Sequence, residues 1–193
     1  MQISEIPRLD LQSRPNLQEI WHGSVRIPDL CFSKLETLIM ENCPFLSEAV
    51  LPFPILPLLP KLKTLKVRNC ESVKVIFEVK GTTQDAMNSP PKIPSINHLR
   101  EVEVENCKVL TSVFSASIAK DLVELEKLTV KDCKELITIV AEETKVEVTS
   151  PCPRVRSLEL RDLPEFKYFY YCSLKSDIYK HLESHTEDKT EKV

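Results

Sequence analysis

Strict alternation marks the clearest stretch of the chain. In Leu99-Arg-Glu-Val-Glu-Val-Glu the apolar Val102 and Val104 alternate with Glu101, Glu103 and Glu105. At the two-residue period of a strand, this sends the valines to one face and the glutamates to the other. The spacing recurs. With the first apolar residue as position zero, positions zero, three and five are Ile6, Leu9, Leu11; Leu35, Leu38, Met40; Leu62, Leu65, Val67; Leu99, Val102, Val104; Leu125, Leu128, Val130; and Val155, Leu158, Leu160. The six copies start 29, 27, 37, 26 and 30 residues apart.

The register extends past each strand. Position eight holds Cys43, Cys70, Cys107 and Cys133 in the four central copies, with Arg14 and Leu163 in the first and last. Position eleven is Leu17, Leu46, Val73, Leu110, Leu136 and Phe166. Positions fourteen and fifteen are an apolar pair in every copy, from Ile20-Trp21 to Phe169-Tyr170. The consensus L-x-x-L-x-L-x-x-C-x-x-L is the pattern of a leucine-rich repeat, in which one copy cannot bury its apolar face alone and neighbours stack to share a core.

The stretches KLKTLKVRNCESVKVIF, HLREVEVENCKVLTSVF and ELEKLTVKDCKELITIV resemble the C-terminal repeats of plant nucleotide-binding leucine-rich-repeat disease-resistance proteins of the coiled-coil class. The resemblance covers roughly 6–170. The expected fold is an α/β solenoid: a leucine-rich-repeat horseshoe segment with a parallel sheet of about six short strands on its concave face and a mostly irregular convex side. The repeats are expected to occupy 1–171, with an insertion at 80–98 rich in Pro, Ser, Asn and Thr, and 172–193 to be a polar, disordered tail. Ile118, Leu122 and Leu125 fall at helical spacing behind serines placed as caps, which predicts a short helix in the fourth copy.

Composition narrows the function classes. Of 193 residues, 26 are basic and 29 acidic, interspersed, for a net charge of −3; no basic footprint for nucleic acid stands out. Gly23 and Gly81 are the only glycines, too few for a phosphate-cradling loop or a nucleophile elbow. The most apolar run, AVLPFPILPLLP, is short and broken by four prolines, so no membrane span is expected. The first residues show no secretory leader and the chain has no Asn-x-Ser/Thr acceptor, which argues against an extracellular receptor and for a cytoplasmic location.

Seven cysteines are then expected as thiols. The four in the repeat slot are too far apart in sequence for the close ligand pairs of a zinc site, and are expected to pack in the core near loop carbonyls. His22, His98, His181 and His185 share no motif with a nucleophile. The reading is therefore of a protein that is not an enzyme, with no catalytic residues, no cofactor and no metal.

What remains is the outward strand face. The candidate partner-binding residues are Lys66, Arg68, Glu103, Glu105, Thr129, Lys131, Glu159 and Arg161, together with Asp10, Gln12, Ile39 and Glu41 on the same face. Arg68 is expected beside Glu105, and Glu105 beside Lys131, as cross-strand pairs. The resemblance implies a protein–protein interaction module, similar to the sensor region of an intracellular plant immune receptor that recognises a pathogen effector or a guarded host protein in defence. In full-length relatives a nucleotide-binding switch domain is expected; no G-x-x-x-x-G-K-[ST] motif occurs in this sequence. The alternative is the substrate-recognition repeat region of a ubiquitin-ligase adaptor.

Overall fold

The computed structural model describes residues 6–12, 32–44, 46, 49–52, 55–77, 96–141 and 155–170. The segments 78–95 and 171–193, and with them most of the expected insertion and the expected tail, lie outside the described residues. So do Leu17, Ile20, Trp21, Cys31, Cys152, Cys172, His22, His181 and His185.

Each alternating copy forms a five-residue strand: β1 Arg8–Gln12, β2 Thr37–Glu41, β4 Thr64–Arg68, β6 Glu101–Glu105, β8 Lys127–Lys131 and β10 Ser157–Arg161. They pair in parallel, in the order β1-β2-β4-β6-β8-β10. The register is the one the repeat predicts, with Leu38 against Leu65, Leu65 against Val102 and Val102 against Leu128. The inward positions Leu38, Met40, Leu65, Val67, Val102, Val104, Leu128 and Val130 are completely buried, each contributing about 1.5–3 kcal/mol of apolar burial.

The expected irregular outer side needs one refinement. The apolar pairs at positions fourteen and fifteen lie in short strands, β3 Ala49–Leu51, β5 Val75–Phe77, β7 Ser112–Ser115, β9 Thr138–Ala141 and β11 Tyr168–Tyr170, which form a second parallel sheet in the order β3-β5-β7-β9-β11. In β3, β7 and β9 three successive residues are buried, so their pattern lacks the alternation that announces a strand. The Phe77 and Phe114 rings stack within this layer at 5.6 Å. One helix, α1 Ala116–Asp121, follows β7, with Ser115 as its N-cap accepting from the Ile118 N–H at 3.4 Å; it packs on β7 and β9.

The link between the sheets is built the same way after five of the inner strands. Directly after β2, β4, β6, β8 and β10 stand Asn42, Asn69, Asn106, Asp132 and Asp162, all with φ between 51° and 55°. Asn and Asp tolerate this left-handed region better than other side chains. Four of their N–H groups donate to the last carbonyl of the next strand: Asn42 to Arg68, Asn69 to Glu105, Asn106 to Lys131 and Asp132 to Arg161. The cysteine follows. From its carbonyl a tight turn closes to the N–H three residues on, as in Leu110 to Cys107 at 3.3 Å and Leu136 to Cys133 at 3.3 Å; Phe166 to Leu163 does the same at 3.2 Å in the last copy. That turn is why positions eight and eleven keep a fixed separation while the rest of the return varies.

The stack is not equally covered along its length. Leu158, in the last inner strand, is 44% exposed, whereas its register partner Leu128 is at 0%.

Candidate functional site

Three residues of every inner strand point away from the core. Together they place six cations (Arg8, Lys66, Arg68, Lys127, Lys131, Arg161) and six anions (Asp10, Glu41, Glu101, Glu103, Glu105, Glu159) on one face. The face is charge-neutral and laced by ion pairs. Glu103 is its hub: it accepts from Lys66 Nζ at 2.9 Å and from Arg68 Nε at 2.9 Å, and also pairs with the Arg68 terminal nitrogen. Burial works to raise the Glu103 carboxyl, but the hydrogen bonds from Lys66 and Arg68 outweigh it and hold it below the usual carboxylate range.

On one side of this hub, Glu101 binds Lys127 at 2.9 Å and Lys66 at 3.6 Å. On the other, Glu159 binds Lys131 at 2.9 Å and Arg161 at 3.2 Å; the Lys131 hydrogen bond is the main cause of the lowered Glu159 carboxyl. The structure thus brings all eight candidate residues onto one continuous face, on four adjacent strands.

Three expectations are corrected. Thr129 is only 5% exposed and Ile39 only 8%, because each is a short or compact side chain standing in a row of long charged ones. Glu105 faces Lys131 in register, yet no ion pair joins them; Lys131 reaches the diagonal Glu159 instead. The expected pair of Arg68 and Glu105 does form, in register and at 3.7 Å, although Arg68 binds the diagonal Glu103 more closely. Long side chains reach diagonal positions across a sheet, so register alone does not choose their partners.

Beneath this face runs a ladder of thiols. Cys43, Cys70, Cys107 and Cys133 are free and buried, and each Sγ donates to the carbonyl two residues earlier, at 3.3 to 3.6 Å. Cys43 Sγ also reaches the Leu11 carbonyl at 3.3 Å and Cys70 Sγ the Met40 carbonyl at 3.9 Å, one turn away. The contact with the neighbouring thiol, together with burial, pushes the Cys43 and Cys107 thiols up. Among the described residues no group of three or more His, Cys, Asp or Glu is arranged to hold a metal ion. His98, the described histidine, contacts Glu124 at 3.4 Å beside Arg100. No helix among the described residues is long and apolar enough to cross a membrane.

The family of plant disease resistance protein RPS2-like leucine-rich repeats matches residues 5–90 and 86–134, more than half of the chain. The chain belongs to this family. No curated protein and no solved structure matches the chain. Within this family assignment, the parallel inner sheet and the cysteine slot are the repeat itself, and the charged face is what the repeat presents to its surroundings.

One column escaped the sequence reading. The left-handed Asn or Asp at position seven stands in five copies, and Asn106 Nδ2 donates to Asn69 Oδ1 at 2.8 Å. Its signal was present as a run of Asn and Asp directly before the cysteine, whose meaning lies in backbone conformation and not in hydrophobicity.

Proposed function

We propose that this chain is the sensor region of an intracellular plant immune receptor of the coiled-coil class, a protein-interaction module that acts in the cytoplasm, recognises a pathogen effector or a guarded host protein, and performs no catalysis. The observation that carries the reading is the outward face of the six-stranded sheet. Its backbone is held by parallel pairing over a core that is completely buried beneath β2, β4, β6 and β8, and it displays a broad, patterned array of charges on a repeat of the disease-resistance family. Extended faces of this kind suit recognition of another protein's surface, where charge pattern gives specificity more than raw affinity. A neutral face also implies little long-range steering, so association is expected to depend only weakly on ionic strength.

The test is proximity labelling in plant leaf cells with the chain and a Lys131→Glu/Arg161→Glu variant, followed by binding measurements with each purified candidate. A host or pathogen protein that binds the wild-type chain and loses affinity for the variant, with unchanged circular dichroism, supports the reading. Equal binding by both forms removes this face from the interaction, and no specific protein at all removes the interaction.

A further inference from the structure

We propose that Thr129 and Glu105 form an acceptor site for a cationic side chain, arginine or lysine, of the bound protein partner; this rests on the interaction reading above and names the chemistry of one contact within it. Thr129 stands in register between Glu103 and Glu159. Both carboxylates are drawn away from it, Glu103 to Lys66 and Arg68, Glu159 to Lys131 and Arg161. The Thr129 hydroxyl is consequently buried with no hydrogen-bond partner, a costly state for a polar group and one that a donor would relieve.

Beside it lies a seam in the charge lattice. No ion pair crosses between Glu105 and Lys131, although the two are opposite one another. The Glu105 side chain is 44% exposed and its contact with Arg68 is a loose 3.7 Å. A carboxylate accepts only and a hydroxyl accepts as well, so the pair calls for a group rich in donors and free of acceptors. Guanidinium and ammonium meet that description, and the planar fork of arginine serves two acceptors at once. Lys127 and Lys131 flank Thr129 on its own strand but are engaged by Glu101 and Glu159, which leaves Glu105 as the loosely held charge beside the hydroxyl and favours a cation over an anion there. On the β10 side Thr129 is flanked by the exposed pair of Glu159 and Arg161, which rearranges at little cost to admit the cation, whereas Glu103 stays held by Lys66 and Arg68.

The experiment is a titration of the full 193-residue chain with N-acetyl-argininamide, followed by nuclear magnetic resonance of the Thr129 methyl and the Glu105 and Lys131 amides, with N-acetyl-glutaminamide as neutral control. Saturable shifts centred on Thr129 and Glu105 are expected with the arginine probe, and affinity is expected to fall by about fivefold in Thr129→Val, which keeps the shape and removes the hydroxyl, and in Glu105→Gln. Absence of saturation, shifts equal to those from the neutral control, or undiminished affinity in both variants overturns the proposal. Because no partner protein is present, this result is independent of partner capture: a partner bound elsewhere leaves the module's function standing and this site refuted.

Discussion

Asn106 Nδ2 donates to Asn69 Oδ1 across 2.8 Å, tying two turns together at the left-handed residue that precedes each buried cysteine. Replacing either by Ala removes the side-chain bond and leaves a residue that enters the left-handed region only at a cost of about 1–2 kcal/mol. Asn69→Ala and Asn106→Ala are each expected to lower the unfolding free energy by about 1–3 kcal/mol in urea titrations. Asn69→Gly, which keeps the backbone freedom, is expected to lose less. Equal losses for Gly and Ala would show that the backbone conformation contributes nothing.

Leu128 and Leu158 occupy the same repeat position but differ in exposure, 0% against 44%. Leu128→Glu buries an unpaired charge in mid-stack and is expected to abolish the cooperative thermal transition seen by circular dichroism. Leu158→Glu is expected to cost about 1 kcal/mol or less. Comparable damage from both would mean that the last turn is covered in solution.

Stability should fall on acidification because of Glu103. Its carboxyl is held below the ordinary value of 4.5 by Lys66 and Arg68, so the unfolded chain takes up the proton first. The contribution is complete above about pH 4.5 and is lost as pH drops through the lower folded value. Asp121, whose carboxyl burial raises, acts in the opposite sense. Urea midpoints measured from pH 6 downward should show a shallower acid decline in Glu103→Gln than in wild type.

The four slot cysteines should resist modification. Each is at most 1% exposed, and this burial decides the outcome, because the contact between neighbouring thiols raises Cys43 and Cys107 but lowers Cys70 and Cys133. Iodoacetamide under native conditions is expected to leave Cys43, Cys70, Cys107 and Cys133 unlabelled while the urea-unfolded chain is labelled at all four, as read by peptide mass spectrometry. Rapid native labelling of any one would show that its turn opens locally.

Much of this architecture is legible along the chain. Period-two alternation at Leu99–Glu105 and its five echoes located the inner strands and their register, since a one-residue slip would turn every leucine outward. The cysteine slot, the Ser115 cap and the short helix were readable for similar local reasons. The second sheet was not: Val113-Phe114 and Ile139-Val140 are buried as continuous pairs, and a short apolar run carries no period from which to infer a strand.

The sequence by itself therefore determined the inner strands, their register and which charges share the outward face, because the side-chain period of a strand depends on spacing alone; how deeply each position is buried, as Thr129, Ile39 and Leu158 show, depended on its neighbours. Only the tertiary structure decided which charges pair. Lys131 chose Glu159 over the facing Glu105, Glu103 gathered both Lys66 and Arg68, and Thr129 was left buried between them. Long side chains can reach several partners from one register, and the choice rests on diagonal distances and competing hydrogen bonds that exist only once the strands lie side by side.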